Sequence, residues 1–198
     1  MALSKLSSGL LSCFLASATV VVSLTGSAPV LAQSGNLKDA VSAAARGDVA
    51  TATQLRSGLS AIDAKIVDWL LVRGGGYSAA EITAFAAKNP RWPDAEMFRR
   101  RAEQALEREN PPADTVIAAF GGTQPISSRG AMLLARAHLA RGNRDAAAAV
   151  IRKTWREETI ASETEADIIR EFGSLLRAED HRVRVNRALL KDKADDAK

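Results

Sequence analysis

Apolar residues recur at helical spacing along most of this chain, and short polar or glycine-rich breaks separate the segments. From Gln33 onward no segment keeps the apolar/polar alternation of a half-buried strand, and the helix-favouring residues alanine, leucine, arginine and glutamate predominate. The pattern therefore predicts an all-α protein. The predicted helices cover residues 37–46, 48–59, 63–73, 78–88, 92–109, 113–120, 128–141, 144–157, 162–172 and 179–191.

Residues that begin helices stand at several of these predicted boundaries. Asp48 directly follows a glycine, which predicts an N-cap immediately after a helix stop. Ser78 with Glu81, and again Ser162 with Glu165, have the spacing of a capping box, in which each side chain bonds the backbone N–H of the other residue. We expect both boxes to form.

Two of the predicted helix pairs repeat one pattern of small residues. The two patterns are Ala40-x-x-Ala43 followed by Gly47 and Ala52, and Ala135-x-x-His138 followed by Gly142 and Ala147. Small residues let antiparallel helices approach closely, and the glycine allows a tight turn to reverse the chain. The repetition predicts an irregular right-handed superhelix, or solenoid, of antiparallel helix pairs similar to tetratricopeptide repeats. A compact, non-repeating bundle is the alternative.

The first 32 residues have the pattern of a secretory signal peptide. Lys5 precedes an uncharged, mainly apolar run over residues 10–22, and Val30-Leu31-Ala32 favours cleavage after Ala32. The sequence thus predicts an exported, periplasmic protein whose mature part, residues 33–198, is one helical domain without a transmembrane helix. The alternative is a lipoprotein, in which Cys13 would be acylated.

Composition and charge narrow the classes of partner. Hydrophobic residues make up 46% of the chain and charged residues 25%, as is ordinary for a folded soluble domain. The formal net charge of +4, which decreases by one when Lys5 leaves with the leader, is too small to indicate a nucleic-acid partner. Cys13 is the only cysteine, so we expect neither disulfides nor thiol chemistry in the mature chain.

Few residues are available from which a metal or catalytic site could be built. His138 and His181 are the only histidines, which argues against a metal centre and against a histidine-based triad, and we expect His138 in the helical core. Gly74-Gly75-Gly76 lacks the Lys-Ser/Thr of a phosphate loop and is interpreted as a linker. No catalytic, cofactor-binding or metal-binding residue is predicted, and no cofactor.

Charged side chains supply the remaining candidates. Glutamates could act as the acids of a glycosidase, but in helices rich in arginine we expect surface pairs at i,i+4 spacing. Two arginine clusters could face a carboxylate-bearing polymer, although we expect solvated helix faces. The glutamates are Glu103, Glu107, Glu157, Glu158 and Glu171, and the clusters are Arg99-Arg100-Arg101 and Arg182, Arg184 and Arg187.

Several segments, taken in chain order, carry a family resemblance. They are Trp92-Pro93-Asp94, Arg101-Ala102-Glu103-x-Ala105-Leu106, the Gly130-to-Gly142 helix pair, Trp155-Arg156 and Glu179-Asp180-His181-x-x-Arg184-x-x-Arg187-x-Leu189-Leu190. Together they resemble the N-terminal superhelical domain of soluble lytic murein transglycosylases, over most of the chain from about Leu37. The resemblance implies a periplasmic protein associated with peptidoglycan, whose MurNAc–GlcNAc bond the family cleaves to leave a 1,6-anhydromuramoyl end.

The catalytic signature of that family is missing from this sequence. In the family, a lysozyme-like domain follows a longer superhelix and carries a glutamate directly followed by serine, with a Gly-Leu-Met-Gln stretch downstream. Here no glutamate is followed by serine and no methionine by glutamine. The chain ends at Lys198, within what resembles the first part of the superhelix. We therefore expect a non-catalytic module that is inactive alone, such as a truncated or split family member.

Three functional hypotheses follow from these observations. The first is a non-catalytic module that binds or frames the glycan strands of peptidoglycan. The second is a stand-alone periplasmic helical-repeat scaffold that holds a protein partner in its concave face. The third is a small muralytic enzyme that uses one of the glutamates named above, and release of anhydro-muropeptides would reveal it.

Overall fold

A computed structural model describes the backbone of residues 30–196 and the side chains of residues 36–190. Within that part of the chain there are ten α-helices and no strand, so the prediction of an all-α protein is confirmed. Cys13 and all but the end of the predicted leader lie outside the described residues. The helices are α1 Val30–Ala45, α2 Val49–Arg56, α3 Ala61–Gly74, α4 Ala79–Lys88, α5 Ala95–Glu109, α6 Ala113–Phe120, α7 Ser128–Ala140, α8 Arg144–Glu157, α9 Ser162–Phe172 and α10 Ala178–Asp196.

Side chains cap two of the helices where the sequence predicts it. The carboxylate of Asp48 accepts a hydrogen bond from the backbone N–H of Thr51 at 3.1 Å. Ser78 and Glu81 form both bonds of a capping box at the start of α4. Because the first N–H groups of a helix have no partner within it, these bonds define where α2 and α4 begin.

The second predicted capping box is wrong. Helix α9 begins at Ser162 itself, and its N-cap is Ala161, which has no side-chain acceptor. The carboxylate of Glu165 accepts a hydrogen bond from Arg184 of α10 at 2.7 Å instead. The guanidinium of Arg184, on another helix, therefore binds the glutamate that the capping box would need.

The two predicted small-residue pairs, α1–α2 and α7–α8, have matching turns. Gly47 and Gly142 have φ angles of 76° and 73°, in the left-handed region that favours glycine. The residue after each glycine donates its backbone N–H to a carbonyl in the last turn of the preceding helix, at 3.0 and 2.9 Å. The patterned alanines are fully buried, namely Ala40, Ala43, Ala52, Ala135 and Ala147.

The odd-numbered helices form a continuous row in which α1, α3, α5, α7 and α9 contact one another in order. Helices α2, α4, α6 and α8 each pack against this row, and α10 packs on α8. The buried apolar residues form three successive clusters along the row, and Tyr77 contacts both the first and the second. The core therefore extends along the row of odd-numbered helices.

Aromatic rings close the connection between α4 and α5. Trp92, one of the residues of the family resemblance, stands edge-on to Phe85, with ring centres 5.5 Å apart, and to Trp69 at 6.3 Å. The ring of Phe98 in α5 also stands edge-on to Phe85, with ring centres 5.6 Å apart. Such edge-to-face contacts stabilise the fold beyond simple area burial, so the role of Trp92 in this structure is packing.

Adjacent glycines at the end of α3 should respond oppositely to substitution. Gly75 has a φ of 76°, whereas Gly74 is helical and has open space around it. Gly75→Ala is expected to destabilise the protein by about 1–2 kcal/mol, because an L residue is strained there. Gly74→Ala is expected to stabilise it by about 0.5–1 kcal/mol, because the unfolded chain loses conformational freedom. Urea unfolding measures both, and a shift of the same sign in the two variants would contradict this description of the turn.

Candidate binding groove and buried carboxylates

An open groove of about 700 Å³ lies between α4 and α6, and α5 forms its floor. The floor is apolar, with Phe98, Ala102 and Leu106 of α5 flanked by Ile82 and Phe120. The walls consist of small side chains exposed to solvent. The wall residues are Ala80, Thr83, Ala84 and Ala87 of α4 and Thr115, Ala118 and Ala119 of α6.

The two wall helices run in the same direction, opposite to α5. The N-terminus of α4 lies at the end of α5, where the carboxylate of Glu109 accepts the backbone N–H of Ala79 at 2.9 Å. The segment after α6 lies at the start of α5, where Arg99 donates to the carbonyl of Gln124 at 2.8 Å. One end of the groove therefore carries a cation and the other an anion.

Polar groups around the groove are largely engaged within the chain. The hydroxyl of Thr83 donates to a backbone carbonyl four residues earlier at 2.8 Å, and that of Thr123 to one three residues earlier at 2.5 Å. Arg99 and Glu109 each bond a neutral backbone group, and neither belongs to an ion pair of the described residues. The lining therefore consists mainly of methyl groups, with Arg99 at one end and Glu109 at the other, and it offers few free hydrogen-bonding groups.

Glu103, a candidate acid, lies buried beside the groove and serves the start of α7. Its carboxylate accepts from the backbone N–H groups of Ile126 and Ser127 at 2.7 and 3.0 Å, and from the Ser127 hydroxyl at 2.5 Å. Gly130 leaves the room that this requires, since a Cβ there would stand 2.5 Å from a Glu103 oxygen. The sequence did not indicate this capping role, because the two partners are more than twenty residues apart.

A second buried carboxylate joins α2, α3 and the loop before α4. Asp68 accepts hydrogen bonds from Nε and Nη2 of Arg56, the latter at 2.6 Å, and from the Tyr77 hydroxyl at 2.7 Å. Burial raises the pKa of Tyr77 above its ordinary value, and its bond to Asp68 raises it further. The phenol is therefore held protonated as a donor, and the cluster is a structural clasp that sequence analysis missed.

A third buried carboxylate, Asp180, lies at the junction of α8 and α10 and has no exposed surface. It accepts from the Arg177 backbone N–H at 2.7 Å and from the Arg156 guanidinium at 2.5 Å, and Arg152 lies 3.7 Å away. Burial alone would raise the pKa of Asp180, but these donors and charges outweigh burial and lower it. The carboxylate is held ionised.

The other residues of the Asp-His-x-x-Arg-x-x-Arg segment close around the same junction. The guanidinium of Arg184 lies 4.5 Å above the ring centre of Trp155, and the ring of His181 stands edge-on to it at 5.3 Å. Arg187 donates to the carbonyl of Arg156 at 3.3 Å. The expected solvated face is therefore wrong for Arg184, because the end of α8 offers it an aromatic ring and an unpaired carbonyl.

Two of the candidate glutamates pair between helices and not at i,i+4 spacing. Glu171 of α9 forms two hydrogen bonds of 2.6 Å with Arg136 of α7, and Glu107 of α5 lies 3.3 Å from Arg129. The row of odd-numbered helices brings these faces together, which local spacing could not indicate. Glu157 and Glu158 are exposed. Only Arg100 of the first arginine cluster forms an i,i+4 ion pair, with Glu96.

No metal cluster and no membrane span occur in the part of the chain that the structure describes. Groups of three or more His, Cys, Asp or Glu side chains that could hold a metal ion are absent there. None of its helices is long and apolar enough to cross a membrane.

His138 is half-buried near the end of α7, and His181 is exposed. Gly74-Gly75-Gly76 ends α3 and begins the loop to α4, as a linker would.

The fold and the groove place this chain in the class of all-α proteins with an apolar groove between helices. Comparison with known proteins adds no family to that class. No family model matches the chain, and neither a curated protein nor a solved structure is significantly similar to it. The likeness to lytic transglycosylases is therefore a prediction from the residues quoted above.

Truncation of Glu103 should cost far more stability than truncation of Glu107 on the same helix. Glu103→Ala leaves two partly buried N–H groups and a hydroxyl without their acceptor, so a loss of about 2–4 kcal/mol is expected. Glu107→Ala removes only a partly exposed ion pair, and about 0.5 kcal/mol is expected. Urea denaturation at neutral pH measures both, and equal losses would contradict the capping role.

Asp180→Asn should destabilise the protein at pH 7 by about 3 kcal/mol, because it leaves guanidinium groups at the junction without their anion. Since the folded-state pKa of Asp180 is lowered below 3.8, its contribution is fully present above about pH 4. It is lost as the pH falls through the folded value, so the two proteins should converge there. Asp167→Asn, which affects a surface pair with Arg170, is the control, and denaturation at several pH values is the measurement.

Proposed function

We propose that this chain is a non-catalytic helical module of the cell envelope that associates with peptidoglycan. In this proposal a signal peptide directs it to the periplasm, and its helix pairs wind into an irregular right-handed superhelix. The α8–α10 junction is the observation that carries the proposal. Trp155 and Arg156, which belong to the family resemblance, pack directly on Asp180, Arg184 and Arg187 of its most specific segment.

The buried acids favour a role without catalysis. A general acid must keep a transferable proton near neutral pH and must reach the bond it protonates. Glu103 is closed off by three donors, and the pKa of Asp180 is shifted in the opposite direction from that of a general acid. These carboxylates support helix ends, and we propose that the chain is inactive by itself.

Sedimentation with isolated sacculi tests this function. The purified mature chain is expected in the pellet, while mass spectrometry of the supernatant should show no anhydro-muropeptides. An unrelated helical bundle of similar net charge controls for adsorption. Released anhydro-muropeptides would overturn the non-catalytic assignment, and protein that stays in the supernatant would overturn the association with peptidoglycan.

A second candidate function is a helical-repeat scaffold for a protein partner. The groove between α4 and α6 favours it, because its lining is apolar and its polar groups are mostly engaged within the chain. Sugar hydroxyls would find few free hydrogen-bonding groups there. Co-purification of one partner protein, without affinity for sacculi, would support this candidate over the first.

A further inference from the structure

We propose that the groove between α4 and α6 binds an amphipathic α-helix of a partner protein, and that this helix runs parallel to α5. Its N-terminus would lie at Arg99 and its C-terminus at Glu109. This inference rests on the second candidate function and is independent of any binding to peptidoglycan.

The chemistry of the walls selects a helix over an extended peptide or a glycan. The walls are themselves helices, whose interior N–H and C=O groups are already paired, so they offer no backbone partners. An extended peptide laid on their methyl groups would bury unpaired amides at considerable cost. A helix satisfies its own backbone internally and presents only side chains, so it can bury an apolar face on this floor without leaving polar groups unpaired.

The dimensions of the groove also fit a helix. Ala80, Ala84 and Ala87 on one wall and Ala118 and Ala119 on the other carry only methyl groups, which allow close approach of a third helix. Helix α4, which sets the length of the groove, has 10 residues, or about 15 Å at 1.5 Å per residue. Roughly three turns of a bound helix would fill it.

The charges at the two ends set the direction. Arg99 and Glu109 are both exposed, and each bonds a backbone group and no oppositely charged side chain of the described residues. Helices commonly carry acidic residues in the first turn and basic residues in the last, where they complement the helix dipole. Such a helix fits best with its first turn at Arg99 and its last at Glu109. This direction makes the bound helix antiparallel to α4 and α6 and parallel to α5, so the dipoles of the two wall helices favour it and that of the floor helix does not.

Two designed peptides of about 14 residues provide the probe, since shorter isolated helices are marginal in water. Both carry one face of leucine and alanine. The first has glutamates in its first turn and lysines in its last, and the second has these charges exchanged. Fluorescence anisotropy of labelled peptide with the mature chain measures affinity, and a nitroxide at the peptide N-terminus locates that end by broadening of backbone amide signals.

The first peptide is expected to bind at least about fivefold more tightly than the second, as two exposed ion pairs allow. Its nitroxide should broaden the amides around Arg99 and Phe120 and spare those around Ala79. Arg99→Gln and Glu109→Gln, which retain hydrogen-bonding capacity, should together reduce the preference to the part that comes from the weaker intrinsic helicity of the second peptide, without abolishing binding.

A matched pair of variants locates the site. Ala84→Phe places a ring in the groove and should abolish binding, whereas Ala149→Phe, at an exposed alanine of α8, should leave it intact. Thermal melting confirms that both variants fold. The proposal is overturned if neither peptide binds at millimolar concentration, if Ala84→Phe binds normally, if the broadening appears at the Ala79 end, or if chitotetraose displaces the peptide. Sacculus sedimentation tests the association with peptidoglycan separately, and its result does not change the interpretation of these peptide experiments.

Discussion

The need to pair the ends of stacked helices governs the polar interior of this protein. The ten helices of residues 30–196 leave many N–H and C=O groups that no partner within the same helix can reach, and several of these ends lie against neighbouring helices. Carboxylates supply acceptors for three of them: the buried Glu103 and Asp180 serve α7 and α10, and the exposed Glu109 serves α4. Arg184 and Arg187 supply donors for the last carbonyls of α8. The charged residues most protected from solvent thus hold helix to helix.

This constraint bears on how the candidate chemistry is interpreted. A buried glutamate beside a groove is the usual starting point for a proposed acid catalyst, but Glu103 already accepts three hydrogen bonds. Likewise, an arginine-rich helix suggests an anionic ligand, yet Arg184 already contacts the Glu165 carboxylate, the Trp155 ring and the backbone carbonyl of Trp155. The segment on which the family resemblance most depends is therefore a packing motif.

The groove exists because neighbouring helices cover some parts of the row of odd-numbered helices more completely than others. Helices α8 and α10 close upon each other through Asp180, whereas α4 and α6 stand apart over α5 and expose their small residues. An apolar surface with its polar groups already paired favours a partner that brings its own backbone hydrogen bonds.

The sequence by itself determined the helices and most of their ends, because caps, glycines and helical periodicity act within a few residues of one another. It also predicted the matching α1–α2 and α7–α8 turns from small residues alone. It failed at Ser162, where the expected capping glutamate bonds Arg184 of another helix. Only the tertiary structure decided the partners of Glu103, Asp68 and Asp180, the pairing of odd-numbered helices, and the groove. These features join residues far apart in the chain, and their energies depend on burial that no local pattern specifies.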